Sequence, residues 1–248
     1  TDDGPAFQAA LDSLAQAGGG SLFVPAGRYA ILTPVAKNFA GLGASVTISG
    51  VVSDTAVAPP DSDPGDLVRG LNLKSEILPR TGKTAAALKL SGLRGALLHD
   101  LAFVGTPGVE VDASSTLVIA DVDDATVSHC EFYGVNSSIY GSDVLAVRSN
   151  FHVERSVFLG CGANSGSYTS VVQNLQWKGF TIEEANFVDY GLRPTLYSKT
   201  TFGSPFAWVR LGNAAALTND SPRREAAFRS VFFDEGARFG IAAIPAYY

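Results

Sequence analysis

The sequence has little charge, little sulfur and no long apolar segment. Charged residues make up 17% of its 248 residues, the net charge is −6, and basic residues form no stripe. This balance excludes nucleic acid and anionic membrane surfaces as expected partners. The longest apolar runs are far shorter than the roughly 20 residues that a transmembrane helix needs, so no membrane span is expected. Methionine is absent, and the only sulfur atoms belong to Cys130 and Cys161.

Glycine and hydrophobic residues, by contrast, are abundant. There are 26 Gly residues, and 46% of the sequence is hydrophobic, which indicates many turns around a β-rich interior. One pattern recurs five times, as Leu98-x-x-Leu101-x-Phe103, Val127-x-x-Cys130-x-Phe132, Val153-x-x-Ser156-x-Phe158, Ile182-x-x-Ala185-x-Phe187 and Phe228-x-x-Val231-x-Phe233. Its Phe residues follow one another after 29, 26, 29 and 46 positions. Such a period is typical of a solenoid, in which each repeat buries its apolar face against its neighbours.

The two cysteines do not have the spacing of a metal site. They are compatible with one disulfide or with two free, buried thiols. Free thiols are favoured, because Cys130 occupies an inward position of the repeat, where a small apolar residue suffices.

The N-terminal segment is predicted to form an amphipathic helix followed by strands. Asp2 and Asp3 are N-cap candidates, and Pro5 suits the first helical turn. One apolar stripe contains Phe7, Ala10, Leu11 and Leu14. Three glycines at 18–20 end the helix, and strands are expected at 21–24 and 29–32.

This N-terminal segment resembles the signature of the pectate-lyase-like superfamily. The resemblance rests on Thr1-Asp2-Asp3, on Phe7-Gln8-Ala9-Ala10-Leu11 and on Gly18-Gly19-Gly20-Ser21-Leu22-Phe23-Val24-Pro25-Ala26-Gly27-Arg28-Tyr29. It covers about the first 31 residues, and beyond them only the repeat rhythm continues it. In that superfamily the helix covers the open end of a right-handed parallel β-helix. Its members include lyases, glycoside hydrolases, epimerases and viral tailspikes, so the resemblance implies a fold rather than a reaction.

We therefore predict an all-β fold, a single-stranded right-handed parallel β-helix (a solenoid) with an N-terminal amphipathic capping helix. One domain is expected over 1–248, with the cap at 1–20, the first coils at 21–85, a protruding Pro/Asp-rich loop at 55–67 and regular coils at 86–248. The interval between Phe187 and Phe233 holds either a long loop or an additional coil through 206–209. Because the sequence begins with Thr1 rather than Met, we expect it to be part of a longer chain.

The repeat also predicts which residues share an outward column. Equivalent positions of successive coils stack about 4.8 Å apart, and alternate residues of each strand point outward. The columns are His99, Ser128, Glu154, Glu183 and Arg229; Leu97, Thr126, His152, Thr181 and Ala227; and Ala102, Glu131, Val157, Asn186 and Phe232. We expect one face of the solenoid to gather Glu131, His152, Glu154, Glu183, Asn186 and Arg229.

Glu154 and Glu183 are the leading catalytic candidates. Like charges opposite one another on neighbouring strands repel, which favours one protonated carboxyl beside one carboxylate, the pair that a glycosidase uses. Their expected spacing approaches the roughly 5–5.5 Å of retaining glycosidases. In a uronate lyase or epimerase, Arg229 or bound Ca²⁺ would neutralise the substrate carboxylate, and His152 or a glutamate would take the C5 proton. Glu131 is expected to assist either reaction.

A structural alternative explains the same residues without catalysis. Arg155 and Arg229 flank the two glutamates, and an exposed ladder of ion pairs would look the same in the sequence. The isolated His99 and His129 are expected to be hydrogen-bonded structural residues.

Other residues give weaker signals. Asp121, Asp123 and Asp124 enter the second repeat and are candidate Ca²⁺ ligands, although aspartates are common in turns for backbone reasons alone. Asn186, Arg193 and Tyr197 are candidate substrate-binding residues, because polar and aromatic groups on a long solenoid insertion suit sugar binding.

These residues together predict a carbohydrate-active protein that binds a polysaccharide or oligosaccharide along its repeat face. The expected activity is that of a polysaccharide lyase or a glycoside hydrolase. The alternative is a non-catalytic tailspike-like adhesin or a surface glycan-binding module, for which outward Phe232, Val157 and Leu97 would supply apolar contacts. We expect a secreted or cell-envelope location and a monomer or homotrimer, and Ca²⁺ is the one candidate cofactor.

Overall fold

The computed structural model describes thirteen stretches of the chain. They are residues 1–40, 43–51, 74–82, 85–105, 116–135, 139–141, 148–159, 161, 170–174, 177–188, 207–211, 225–233 and 239–243. The loop predicted at 55–67 lies outside the described residues. Within the described part, one helix is followed by nineteen strands.

The helix, α1 (Gly4–Gln16), forms where the sequence predicts it. Phe7 and Leu11 are buried, and the Phe7 ring packs edge-on against Tyr29 with centroids 5.8 Å apart. Of the two N-cap candidates, Asp3 is the N-cap residue, without a side-chain capping bond, and the Asp2 side chain accepts a hydrogen bond from Gly4 N.

The strands divide into two all-parallel sheets. The 12-stranded sheet contains β1 (Gly20–Phe23), β3 (Val35–Asn38), β4 (Ser45–Ser49), β6 (Leu88–His99), β8 (Leu117–Ser128), β10 (Ile139–Gly141), β11 (Arg148–Glu154), β13 (Ser170–Asn174), β14 (Trp177–Glu183), β16 (Ala207–Leu211), β17 (Glu225–Arg229) and β19 (Phe239–Ala243). The 7-stranded sheet contains β2 (Gly27–Ile31), β5 (Ser75–Pro79), β7 (Ala102–Val104), β9 (Glu131–Tyr133), β12 (Val157–Leu159), β15 (Asn186–Val188) and β18 (Phe232–Phe233). Strands alternate between the sheets along the chain, which is the pattern of a β-solenoid.

Each coil crosses three parallel ladders. In β6, residues 88–91 pair with β3 and residues 95–99 pair with β4, so this long strand joins two ladders of the larger sheet. We call the second of these ladders the middle ladder. It contains β4, the second half of β6, the second half of β8, β11, β14 and β17. The smaller sheet is the third ladder. The helix lies against the first coil, where Gln8 Oε1 accepts a hydrogen bond from Ala36 N in β3.

The strand pairing confirms the register of all three predicted columns, but Ala102, which was expected to face outward, is fully buried. Glu183 is the partner of both Glu154 and Arg229, and Thr181 is the partner of both His152 and Ala227. No additional coil lies between the fourth and fifth repeats, because β14 pairs directly with β17. The extra length of that interval falls at 189–206 and 212–224, outside the described residues.

A left-handed backbone residue turns each coil from the middle ladder onto the smaller sheet. The residue at this corner has φ between 46° and 58° in five successive coils, at Asp100, His129, Arg155, Glu184 and Ser230. Residues other than Gly, Asn, Asp and His rarely adopt this conformation, so at Arg155, Glu184 and Ser230 the surrounding ladders must hold it in place. The corner amides do so by donating to the next coil, as Arg155 N donates to Glu183 O at 2.9 Å.

Stacked aromatic rings fill the interior. Phe103, Phe132, Phe158 and Phe187 are fully buried, and their rings stack in sequence with centroid separations of 4.9, 4.9 and 4.5 Å and interplanar angles below 10°. Identical residues in register repeat at the strand spacing, which matches the stacking distance of aromatic rings.

The two cysteines are free and buried, as the sequence analysis favoured. Burial raises the pKa of the Cys130 thiol to about 12. A thiol of this kind is a packing group rather than a nucleophile.

The Asp2 side chain connects the start of α1 to the residues that follow β2. Replacing Asp2 with Asn is expected to lower the melting temperature at pH 7. Its Oδ2 accepts from Thr33 Oγ1 at 2.6 Å, and its Oδ1 accepts from the backbone amides of Gly4, Leu32 and Thr33. The Thr33 hydroxyl bond is the main cause that lowers the pKa of Asp2 to about 2 from 3.8. The contribution of the Asp2 carboxylate to folding stability is therefore complete above pH 3.8 and is lost as the pH falls through about 2.

Thermal melts of the wild type and Asp2→Asn across this acidic range test the expectation. Ser13→Ala, on the exposed face of the same helix, is the control. A difference in melting temperature that stays constant down to the lowest pH would contradict the assigned role of the carboxylate.

Candidate functional site

The middle ladder brings Glu154 and Glu183 side by side on its outward face. Both are the last residues of their strands, β11 and β14, and the parallel register pairs them directly. Val153 and Ile182, their inward neighbours, are fully buried and anchor the two strand ends. Because the alternation is fixed by this burial, the two carboxylates must point away from the core.

His152 lies between the two carboxylates. Its Nε2 is 3.9 Å from Glu154 Oε2 and 3.8 Å from Glu183 Oε2, and it makes no hydrogen bond within the described structure. The three side chains are 32%, 29% and 35% exposed and therefore partly desolvated, and the Nε2 atom of His152 is itself buried. An imidazole in this position can exchange a proton with either carboxyl group after a small movement.

Two further side chains complete the cluster. Ser128 Oγ donates a 2.7 Å hydrogen bond to Glu154 Oε1, which leaves Oε2 directed at His152. On the other side, Arg229 Nη1 lies 3.7 Å from Glu183 Oε2. We call Ser128, His152, Glu154, Glu183 and Arg229 the carboxylate cluster.

Small side chains surround the carboxylate cluster. Thr126 and Thr181 are the strand partners of His152, and Gly179 is the partner of Asn150 in the next outward column. Short side chains leave the carboxylates accessible along the direction that crosses the coils. A chain-like ligand could therefore contact several coils at once.

A separate set of polar contacts lies at the corners. The carboxylate of Asp100 lies between two imidazoles, with His99 Nδ1 2.6 Å from Oδ2 and His129 Nδ1 2.6 Å from Oδ1. Both histidines are thus hydrogen-bonded, as expected. At the next corners Arg155 pairs with Glu184, with Nε 3.2 Å from Oε2.

The prediction that one face gathers six residues is corrected for Glu131 and Asn186. Both are outward, but they lie on β9 and β15 of the smaller sheet, beyond the corner. Asn186 is exposed there. Glu131 belongs to another cluster, in which its Oε2 accepts 2.6 Å hydrogen bonds from Lys74 Nζ and Tyr133 OH.

Glu76 is part of this second cluster and is only 4% exposed. Its Oε2 lies 2.9 Å from Arg28 Nε, and β7 separates its strand from that of Glu131. Burial raises the pKa of Glu76, outweighing the attraction of Arg28 and Lys74, and the nearby charge of Glu131 adds to the increase. The ionised form of Glu76 therefore destabilises the fold relative to its protonated form.

Replacing Glu76 with Gln is expected to favour folding more at neutral pH than at acidic pH. A raised folded-state pKa means that the native protein gains a proton before the unfolded chain does, so wild-type stability rises as the pH falls toward 4.5. Gln imitates the protonated carboxyl, so the melting temperature of Glu76→Gln minus that of the wild type should increase from pH 4.5 to pH 7. Paired melts at the two pH values measure this. A difference that decreases toward pH 7 would contradict it.

The remaining candidates divide between described and undescribed residues. Arg193 and Tyr197 lie outside the described residues. Asp121 lies at the bend of β8 with φ 56°, which accounts for Asp at that position on backbone grounds, and Asp124 Oδ1 accepts a 3.0 Å hydrogen bond from Asn150. Within the described ranges, no group of three or more His, Cys, Asp or Glu side chains is arranged to hold a metal ion.

Sequence reasoning missed Lys74, Glu76 and the pairing of both corner histidines with Asp100. Ile77 occupies the place of the repeated Phe, since it pairs with Phe103. The repeat could not have revealed that Glu76 shares the column of Ala102 and Glu131, because Asn72 occupies the first apolar position of the pattern even when Ile is allowed for Phe.

No protein-family model, no curated protein and no solved structure matches the chain.

No helix in the described part of the chain is long and apolar enough to cross a membrane.

Proposed function

We propose that this protein binds an extended polysaccharide across the coils of the middle ladder and cleaves it at the carboxylate cluster. The observation that carries the proposal is the position of His152 Nε2, which lies within 3.9 Å of Glu154 and 3.8 Å of Glu183. Acid–base cleavage of a glycosidic bond requires two carboxyl groups, and an imidazole near both of them is able to transfer a proton.

Glycoside hydrolysis uses this arrangement most directly. One glutamic acid donates its proton to the glycosidic oxygen as the C1–O bond breaks, and the other carboxylate bonds to C1. Water then replaces that carboxylate at C1, and its proton returns to the first glutamate. Glu154 and Glu183 are direct partners on neighbouring strands, which lie about 4.8 Å apart. This spacing favours a retaining mechanism over an inverting one, which needs roughly 6.5–9.5 Å between the carboxyl groups.

A lyase is the second candidate reaction. Here Arg229 would bind the carboxylate of a uronate, and His152 or a glutamate would remove the C5 proton while the C4–O bond breaks. The exposed guanidinium of Arg229 at the end of the cluster supports this alternative.

A binding protein without catalysis is the third candidate. Phe232 is 56% exposed and lies next to Asn186 in the outward column of the smaller sheet. Such an apolar side chain on a solenoid surface suits contact with another subunit or with a sugar ring. In this function the carboxylate cluster would be a ladder of ion pairs.

We also propose that the chain belongs to the pectate-lyase-like superfamily and is secreted or located at the cell envelope. The resemblance of residues 1–31, the position of α1 against the first coil and the two parallel sheets support this assignment. A wide range of reactions occurs on such scaffolds, so the assignment does not select among the three functions.

A screen of acidic and neutral polysaccharides tests the proposed function. New reducing ends and ultraviolet absorbance of unsaturated products are measured in parallel on the same samples. Reducing ends without absorbance indicate hydrolysis, and both signals together indicate a lyase. Binding in the absence of either signal would favour the non-catalytic function, and neither binding nor cleavage would overturn the proposal.

A further inference from the structure

Carboxylates predominate on the outward face of the middle ladder. Among the described side chains of this face, Asp124, Glu154 and Glu183 carry negative charge, and Arg229 is the one permanent cation. Arg229 lies 3.7 Å from Glu183, so its charge is partly offset. A ligand lying across these coils therefore meets a surface of net negative charge.

The face also carries hydroxyl groups, together with the imidazoles of His99 and His152. Ser128, Thr126 and Thr181 stand beside the carboxylates in the adjacent column and on the paired strands. Carboxylate oxygens accept strong, charge-assisted hydrogen bonds from hydroxyl groups. Sugar hydroxyls can donate such bonds, whereas the carboxylate or sulfate of an acidic sugar has no proton to donate and is repelled.

We infer that the substrate is a neutral glycan, without carboxylate or sulfate groups on the sugars that contact the middle ladder. The inference rests on the proposed function and specifies its substrate class. It also selects hydrolysis, because elimination at C5 depends on the carboxylate that a uronate carries and a neutral sugar lacks. In the hydrolysis, one water is consumed for each glycosidic bond that is cleaved.

Matched pairs of polymers test this substrate class. Polygalacturonate and alginate are each compared with their carboxyl-reduced forms, which keep the linkage and lose the charge, and neutral glucans, mannans, galactans and xylans complete the panel. Binding is measured by affinity electrophoresis and cleavage by new reducing ends. We expect any polymer that is bound to bind at least about tenfold more tightly in its neutral form at low salt.

Salt and a charge variant identify the cause of the preference. Sodium chloride screens exposed charges, so it should weaken the discrimination between the two forms. Asp124→Asn removes one of the three carboxylates and should also reduce the difference in affinity between the acidic polymer and its neutral form.

Each result of the panel decides between the inference and the proposed function. Preference for an acidic polymer, with cleavage, would overturn the neutral-glycan inference while supporting the proposed function. Absence of binding and cleavage across the panel would overturn both. A neutral preference that salt and Asp124→Asn leave unchanged would overturn the electrostatic argument on which the inference stands.

Discussion

Replacing Phe158 with Ala is expected to lower the free energy of unfolding by about 3–5 kcal/mol, the usual cost of removing a buried aromatic ring. Phe158 is fully buried, and its ring stacks on Phe132 at 4.9 Å and on Phe187 at 4.5 Å. The substitution therefore removes two ring contacts, each worth about 0.5–1.5 kcal/mol beyond burial, and leaves a cavity at the centre of the stack. Urea denaturation followed by circular dichroism measures the loss.

Phe232→Ala is the matched control for this variant. Phe232 belongs to the same set of repeats but points outward and is 56% exposed, so its removal should change stability by about 0.5 kcal/mol or less. Phe158→Leu, which keeps most of the volume, should fall between the two. A loss below about 1 kcal/mol for Phe158→Ala would show that the stack does not carry the stability of the solenoid.

The position of Phe158 also predicts a change in cooperativity. In a solenoid each coil is stabilised by its two neighbours, so weakening a central coil uncouples the parts on either side. The unfolding transition of Phe158→Ala should therefore broaden or separate into two steps, while that of Phe232→Ala should keep the wild-type shape.

Much of this fold could be predicted because one inward residue determines the direction of its neighbours. Phe103, Phe132 and Phe158 mark the same point in successive coils, and alternation then fixes which residues face outward. Parallel pairing of equivalent positions follows, since only that register stacks Phe on Phe.

The turn from the middle ladder onto the smaller sheet limited how much of the candidate site could be predicted from the sequence. Alternation shows that Glu131 points outward, but it does not show that the chain turns at His129 before reaching it. Of the five corner residues, only Asp100 and His129 are of types that favour positive φ, so the sequence does not reveal a turn common to all five coils. Distances between side chains on different coils, such as the distance from Asp100 to His129, depend on this turn and could not be predicted.

Replacing Glu154 or Glu183 with Gln is expected to reduce the rate of glycan cleavage by about 10²–10⁴-fold, the usual contribution of a general acid or base. Gln keeps the size of the side chain and, at position 154, its capacity to accept the hydrogen bond from Ser128, but it can neither be ionised nor deliver a proton. The loss should therefore appear in kcat, with little change in glycan affinity. Initial rates of reducing-end formation and affinity electrophoresis measure the two effects separately.

Glu184→Gln is the matched control, because it removes the same charge from the next residue of the same coil. Glu184 is exposed at the corner and pairs with Arg155, away from His152, so its variant should retain cleavage within about twofold. An equal loss in Glu184→Gln would indicate a general effect of charge on the surface. If Glu154→Gln and Glu183→Gln both retained full activity, the carboxylate cluster would be a structural ladder of ion pairs, and the catalytic groups would lie elsewhere on the solenoid.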